Sequence, residues 1–361
     1  MNRDEFNEIY FSMLKRKPND GDIKAHIHKN KDLFINEVKN CKEYNNLQNQ
    51  TELVSIIIPT RNRNHTFIRA IESCINQTYK NIEIIICDDS DENYVLTQNY
   101  YNTTYKLYTN VTYIKNKHNL GFCKNINQGL VRANGQYVAL LFDDDYFYNT
   151  YIEKTVNILK QNTSVGFVTT AAHNYYNGKT CTNTFNVGTQ SYSGKLHKYY
   201  YYNGIINLYR DPSYIVWSVS PCNYVFRNNK ILLRDQLYLN FDEKQLKCGA
   251  GFDLLFILDN LKLYDHFYVN TEHLVCFDST QGSFTVSNTN YVIDRMDITI
   301  KYWLEYELVE PNILLKLKLL FDNNNITKTN SFDLNVINKV PHENTNKSFI
   351  KNIKNRNLFV T

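Results

Sequence analysis

The spacing of hydrophobic positions changes period several times along the chain. Residues 53–59, LVSIIIP, form an unbroken, β-branched apolar run, the mark of a strand buried on both faces. HTFIRAIESCINQ follows, with Phe67, Ile71, Cys74 and Ile75 at helical spacing. IEIIICDD is a second buried strand, and VTYIKN (111–116) is a third. KNINQGLVRANG reads as a helix closed by a glycine stop at Gly135, and QYVALLFDDD as a fourth strand. Strand and helix alternate, which predicts an α/β fold: a Rossmann-like, mostly parallel sheet covered by helices.

The flanks follow other rules. In DEFNEIYFSMLKRKP, Phe6, Ile9, Tyr10 and Met13 share one helical face; NDGD breaks the pattern, and KDLFINEVKNC makes a second helix. After residue 150, TYIEKTVNILKQ is an amphipathic helix and VGFVTTAA another strand. Residues 174–212 are rich in Tyr, Asn and Gly with weak periodicity, which suits hairpins and loops. YVFRNNKILL and FDLLFILDNLKLY restore order, and EPNILLKLKLLFD is a late helix with Pro311 in its first turn. The expected organisation is a small helical segment over 1–50, an α/β domain over 51–287 with halves meeting near residue 150, and a helical extension over 288–361.

Composition narrows the function class. A net charge of +4 over 361 residues is too weak to argue for nucleic acid, so no nucleic-acid partner is expected. The eight cysteines, at 41, 74, 87, 123, 181, 222, 248 and 276, contain no C-x-x-C pair and sit mostly in apolar stretches, which suits reduced core thiols. The H-x-H pair His26 and His28 lacks further metal ligands nearby and suits a solvated pair. MNRDEFNEIY is charged and lacks a signal-peptide core, and no run of about 18 uncharged apolar residues occurs, so a cytoplasmic protein is expected.

Two strands end in carboxylates: Asp88 and Asp89 after IEIIIC, and Asp143, Asp144 and Asp145 after YVALLF. Open parallel sheets bind ligands at the carboxyl ends of their strands. Clustered carboxylates become favourable there when a hard divalent cation, Mn2+ or Mg2+, offsets their repulsion and carries a phosphorylated ligand. Asp also favours plain turns, so a solvated turn is the competing reading. No Walker A loop or G-x-G-x-x-G is present; the first strand ends in PTRNRN, where Arg61 or Arg63 could help with phosphate charge.

VSIIIPTRNRNHTFIRAIESCINQTYKNIEIIICDDSD, followed by NLGFCKNINQGLVRANGQYVALLFDDD, resembles the nucleotide-binding half of glycosyltransferase family 2, with the GT-A fold and bacterial surface-glycan chemistry. The likeness is close over 53–150 and looser to about 285, so that 51–150 is expected to be the nucleotide-binding half and 151–287 the acceptor half. It implies a nucleotide-sugar donor, expected to be a UDP-sugar, and a glycan or lipid-linked acceptor. The residues matching Pro59, Thr60 and Asp89 lie around the nucleotide base in that family, with Asn127 and Gly129 matching the segment ahead of the D-x-D signature. By the same resemblance Asp143 or Asp144 contacts the ribose, and Asp145 ligates the metal.

The family's base stands at the start of a helix in the second half. Its best match is Asp253 in CGAGFDLLFILDNL, with Asp242 and Glu243 as alternatives. Phe252 stands where many members carry an acidic residue. DSTQGSFTVSN (278–288) resembles the loop over the donor diphosphate but lacks its frequent His, leaving Ser283 and Thr285 as hydrogen-bond donors. The expected reaction inverts the anomeric carbon; the competing classes are a sugar nucleotidyltransferase and a catalytically silent scaffold. The aromatic segment Tyr199 to Tyr202 and Trp217 suits acceptor stacking, and the basic tail NKSFIKNIKNRNLF suits a solvated tail or contact with an acidic membrane.

Overall fold

The computed structural model of the chain describes residues 2–14, 18–41, 52–176, 179–185, 193–198, 220–228, 256–257, 260–261 and 263–278. Ahead of the sheet lie α1 (Arg3–Leu14), α2 (Asp20–His26) and α3 (Lys31–Asn40). Phe6, Tyr10 and Leu14 of α1 bury against Phe34 and Val38 of α3, a small apolar cluster of its own. NDGD does not interrupt this segment. Asn19 instead starts α2: its side chain accepts from the Asp22 N–H and Asp22 returns the bond, a capping box that satisfies two orphan donors. His26 packs against the Phe34 ring at 5.6 Å and lies 3.5 Å from Glu37.

The α/β portion runs β1 (Val54–Thr60), α4 (Asn64–Ile75), β2 (Ile82–Asp88), α5 (Leu96–Thr104), β3 (Val111–Lys115), α6 (Phe122–Arg132), β4 (Tyr137–Leu140), β5 (Tyr146–Phe147) and α7 (Tyr151–Gln161). It continues through β6 (Val165–Tyr176), β7 (Lys179–Phe185), β8 (Gly194–His197), a single 3-10 turn (Pro221–Asn223), β9 (Tyr224–Arg227) and β10 (His266–Asp278). Among the described residues one sheet has the order β3-β2-β1-β4-β9-β6-β10-β5, with β7 on β6 and β8 on β10. β3, β2, β1 and β4 are parallel, and β9 is antiparallel to both its neighbours. The helix α5 has only a weak apolar stripe, with Thr97 its buried residue, and no periodicity announced it.

All seven residues of β1 are buried, as the unbroken apolar run requires. Ile56, Ile58, Ile84 and Ile86 face the core built by Phe67, Ile71 and Cys74 of α4 and Ile152, Val156 and Leu159 of α7. Ile57 and Cys87 face α6 on the opposite side, where a Cβ on Gly129 would stand 2.5 Å from the Ile57 Cγ2 and 3.0 Å from the Cys87 Sγ. Gly129 is thus a packing glycine that lets α6 lie close on the sheet. Gly135 is not the expected helix stop: α6 ends at Arg132, and φ at Gly135 is not positive. A Cβ there would lie 2.6 Å from the Ser55 nitrogen, so Gly135 serves close approach to β1. Cys74, Cys87, Cys123, Cys222 and Cys276 are buried free thiols, and Cys41 is half-buried.

Candidate functional site

Parallel pairing sets the carboxyl ends of β1, β2 and β4 side by side. Thr60 pairs with Asp88, Pro59 with Cys87, and Ile57 with Leu140, after which the Leu141 N–H still bonds the Ile57 carbonyl at 2.9 Å. The loops PTRNRN, DDSD and FDDD therefore meet on one edge. Asn62, in the left-handed region at φ 54°, turns the first loop. Its backbone N–H donates to the Ser90 Oγ at 2.9 Å and its side-chain amide to Asp91 at 2.6 Å. Arg61 is exposed and donates to Asp91 at 3.2 Å.

Asp89 is 3% exposed, and its carboxylate faces the loop before α6. Oδ1 accepts from the Leu120 N–H at 2.8 Å and the Asn116 amide at 3.0 Å, and Oδ2 from the Gly121 N–H at 3.0 Å. Asp88 is held by the Ser90 N–H and the Tyr113 hydroxyl, with Lys115 at 3.6 Å. The DD strand end is thus a built acceptor pair. On α6, Asn125 bridges Asn116 and the Cys87 carbonyl, while the buried Asn127 Oδ1 meets no donor among the described residues.

The acidic triplet answers its own repulsion unevenly. Arg63 donates to Asp144 at 2.5 Å and lies 3.4 Å from Asp143, which also accepts from the Arg61 N–H at 3.2 Å. Burial opposes the charge on Arg63, but Asp143 and Asp144 outweigh it and raise its pKa. Burial, then repulsion from Asp144, pushes the Asp143 carboxyl up, with Arg63 opposing. Asp145 is 6% exposed and pairs with no basic side chain among the described residues; Oδ1 accepts from the Asp278 N–H at 3.1 Å. Burial and Asp144 hold its carboxyl well above the ordinary range. A buried carboxylate without a cation is costly, so the donor set fits a hard divalent ion. No three His, Cys, Asp or Glu converge into a closed cage among the described residues. Mg2+ takes only one or two carboxylates when substrate phosphates complete its shell, so such a cage is not required.

Beyond the triplet the chain passes from the centre of the sheet to β5, at the edge beside β10. The helix α4 and the residues just after it support this crossing with polar side chains at i, i+4 and i+8. Arg69 donates to the Asp144 carbonyl at 2.5 Å, the Ser73 Oγ accepts from the Phe147 N–H at 3.1 Å, and Gln77 bonds the Tyr148 carbonyl and the Ile152 N–H, both at 3.0 Å. These three residues lie off the apolar face that hydrophobic periodicity marks. Polar residues at four-residue spacing beside that face were the available signal.

The family model for glycosyl transferase family 2 matches residues 55–220. Over that stretch the chain resembles glycosyltransferase family 2. WfaP of Escherichia coli, described as a UDP-Glc:alpha-D-GlcNAc-diphosphoundecaprenol beta-1,3-glucosyltransferase, is 39% identical over 110 residues, 30% of this chain and 42% of that protein. The putative colanic acid biosynthesis glycosyl transferase WcaA of Escherichia coli K12 is 41% identical over 93 residues, 26% of this chain and 33% of that protein. These matches span less than half the length of either curated relative. The crystal structure of S. aureus TarS 1-349 in complex with UDP superposes with a TM-score of 0.51 at 18% identity, covering 80% of this chain and 76% of that one. The likeness is one of fold, and it is the GT-A architecture expected from the sequence.

Within the matched stretch, Pro59, Thr60, Arg61, Arg63, Asp89, Asp143, Asp144 and Asp145 gather at one edge of the sheet, with Asn127 on the helix behind it. Asp253, its alternatives Asp242 and Glu243, the segment after Asp278, the aromatic residues 199–202 and 217, and the basic tail lie outside the described residues. No described helix is long and apolar enough to cross a membrane.

Proposed function

We propose that this chain is a metal-dependent, inverting glycosyltransferase that moves a sugar from a UDP-sugar to a hydroxyl of a glycan or lipid-linked glycan. The observation that carries the reading is Asp145: a buried carboxylate, unpaired by any described cation, at the strand-end edge where open α/β sheets bind ligands. The family 2 match, the diphosphoundecaprenol-linked acceptor for which WfaP is named and the UDP bound to the S. aureus TarS structure support the donor and acceptor classes.

In this reading Asp145 would hold Mn2+ or Mg2+, which would supply neutralisation of charge on the departing diphosphate. Asp143 or Asp144 orients the ribose, and Pro59 and Thr60 line the base. Asp89 keeps spare acceptor capacity on Oδ2 for a pyrimidine N–H while its other contacts hold the neighbouring loop. Arg63 and Arg61 are the near cations for the phosphates, and Asn127 offers a buried carbonyl. Asp253 takes the acceptor proton as the new bond forms at the anomeric carbon and the bond to diphosphate breaks, a single displacement that inverts configuration.

The test is transfer and donor hydrolysis across a panel of nucleotide-sugars, with calorimetry of UDP with and without Mn2+. UDP is expected to bind more tightly with Mn2+, and Asp145→Ala to remove that gain while the chain stays folded. An unchanged gain in Asp145→Ala would sink the ligand role, and absence of turnover with every donor would favour a silent scaffold.

A further inference from the structure

Asp278, the last residue of β10, is joined to the acidic loop from two directions. Its backbone N–H donates to the Asp145 Oδ1 at 3.1 Å. Its carboxylate is 2.6 Å from the Nη2 of Arg69, and that same nitrogen donates to the Asp144 carbonyl at 2.5 Å. The Arg69 guanidinium also lies over the Tyr146 ring, 4.9 Å from its centroid, and 6.0 Å from that of Tyr175. Arg69 therefore touches the residue before Asp145, the residue after it, and the strand end whose N–H meets the Asp145 carboxylate. Ser73, one turn further along α4, and Gln77, just past its C-terminal end, bond only backbone beyond the triplet. Arg69 is the member of the three that carries charge, and it spends that charge on Asp278, whose side chain is only 3% exposed.

We infer that Arg69 is a positioning residue: paired with Asp278 and the Asp144 carbonyl, it sets the direction of the Asp145 carboxylate and anchors the first residue of segment 278–288 against the acidic loop. The inference rests on the reading of Asp145 as the metal ligand. Without the Arg69 cation, the Asp278 carboxylate would lose its 2.6 Å ion pair and the Asp144 carbonyl its donor, and the end of β10 would be freer to move away from Asp145. The N–H to Oδ1 bond would lengthen, and Asp145 would gain freedom that a bound ion must remove. Outer groups that orient a metal ligand commonly contribute about 10–100-fold to metal affinity.

The experiment compares the full chain with Arg69→Met, Arg69→Lys, Asp278→Asn and the Arg69→Met/Asp278→Asn double variant. Calorimetry with UDP, with and without Mn2+, is run beside thermal melts. The readout is the metal-dependent gain, the ratio of the two UDP affinities, which general loosening of the fold would not alter selectively. Arg69→Met, which keeps an apolar stem over Tyr146, is expected to cut the gain by about 10-fold or more while metal-free UDP affinity stays within about 2-fold. Arg69→Lys, which can still donate to both oxygens, should recover most of the gain. Asp278→Asn keeps the backbone bond and the size of the side chain, so it tests the pair even if Arg69→Met folds poorly. The double variant should be no worse than Arg69→Met alone, because both changes break one link. A wild-type gain that persists in Arg69→Met and Asp278→Asn overturns this inference alone. A wild-type chain with no Mn2+ gain overturns the metal reading and this inference with it.

Discussion

Asp89→Asn separates the scaffolding work of this carboxylate from any ligand work. The wild-type side chain is 3% exposed and accepts three hydrogen bonds, from Leu120, Gly121 and Asn116. In the better orientation, the asparagine oxygen replaces Oδ1 and keeps the Leu120 and Asn116 bonds. They become neutral bonds, and hydrogen bonds to charged groups exceed neutral ones by roughly 0.5–1.5 kcal/mol each. The new NH2 then faces the Gly121 N–H, donor against donor, although Gly121 keeps the Asn119 Oδ1 at 2.8 Å. Two weakened bonds and one lost charge-assisted bond come to about 2.5–6 kcal/mol. For a domain of this size that corresponds to a fall in melting temperature of roughly 5–20 °C. Circular-dichroism melts and urea midpoints on the full chain measure it, and UDP calorimetry below the transition measures ligand binding separately. A variant that melts within about 1 °C of wild type would refute the anchoring role argued from these three bonds.

Gly129→Ala should destabilise by up to about 2 kcal/mol: overpacking costs about 1–3, the helix gains about 1 from alanine, and the 2.5 Å approach to the buried Ile57 favours the upper end. Equal or greater stability in urea would show that β1 does give way. The Asp143 carboxyl is pushed up to about 7 in the folded chain, above its unfolded value near 3.9, so the native state holds the extra proton between those values. Stability of the metal-free chain should therefore fall as pH rises from about 4 to about 7, and Asp143→Asn should flatten that slope; urea midpoints at about pH 5 and about pH 8 check the sign. Asp253→Asn should leave UDP affinity unchanged and lower turnover by about 10²–10⁴-fold, with an inverted product in wild type by NMR. Near-normal turnover or a retained anomeric configuration would remove Asp253 as the base.

The chain by itself determined the elements whose signal is local. Unbroken β-branched runs marked β1 and β2, because a strand covered by helices on both faces admits no polar alternation. The carboxylates at the strand ends, and the sheet rule that points to that edge, marked the candidate site from local signals alone. Roles that depend on distant partners were not legible. Gly135 has the look of a helix stop, but the nearby β1 backbone is what requires a glycine there. NDGD looks like a break, yet its asparagine caps a helix. Asp89 matches a base-contacting position, yet much of its acceptor capacity goes to a loop about thirty residues later. Only the tertiary structure decided which carboxylates have cations: Arg63 reaches Asp144 across 81 positions and Arg69 reaches Asp278 across 209, while Asp145 receives a backbone N–H. Periodicity reports what each residue does for its own helix or strand. Charge pairing at the end of a sheet is set by which strands lie side by side, and that order follows from packing the whole chain.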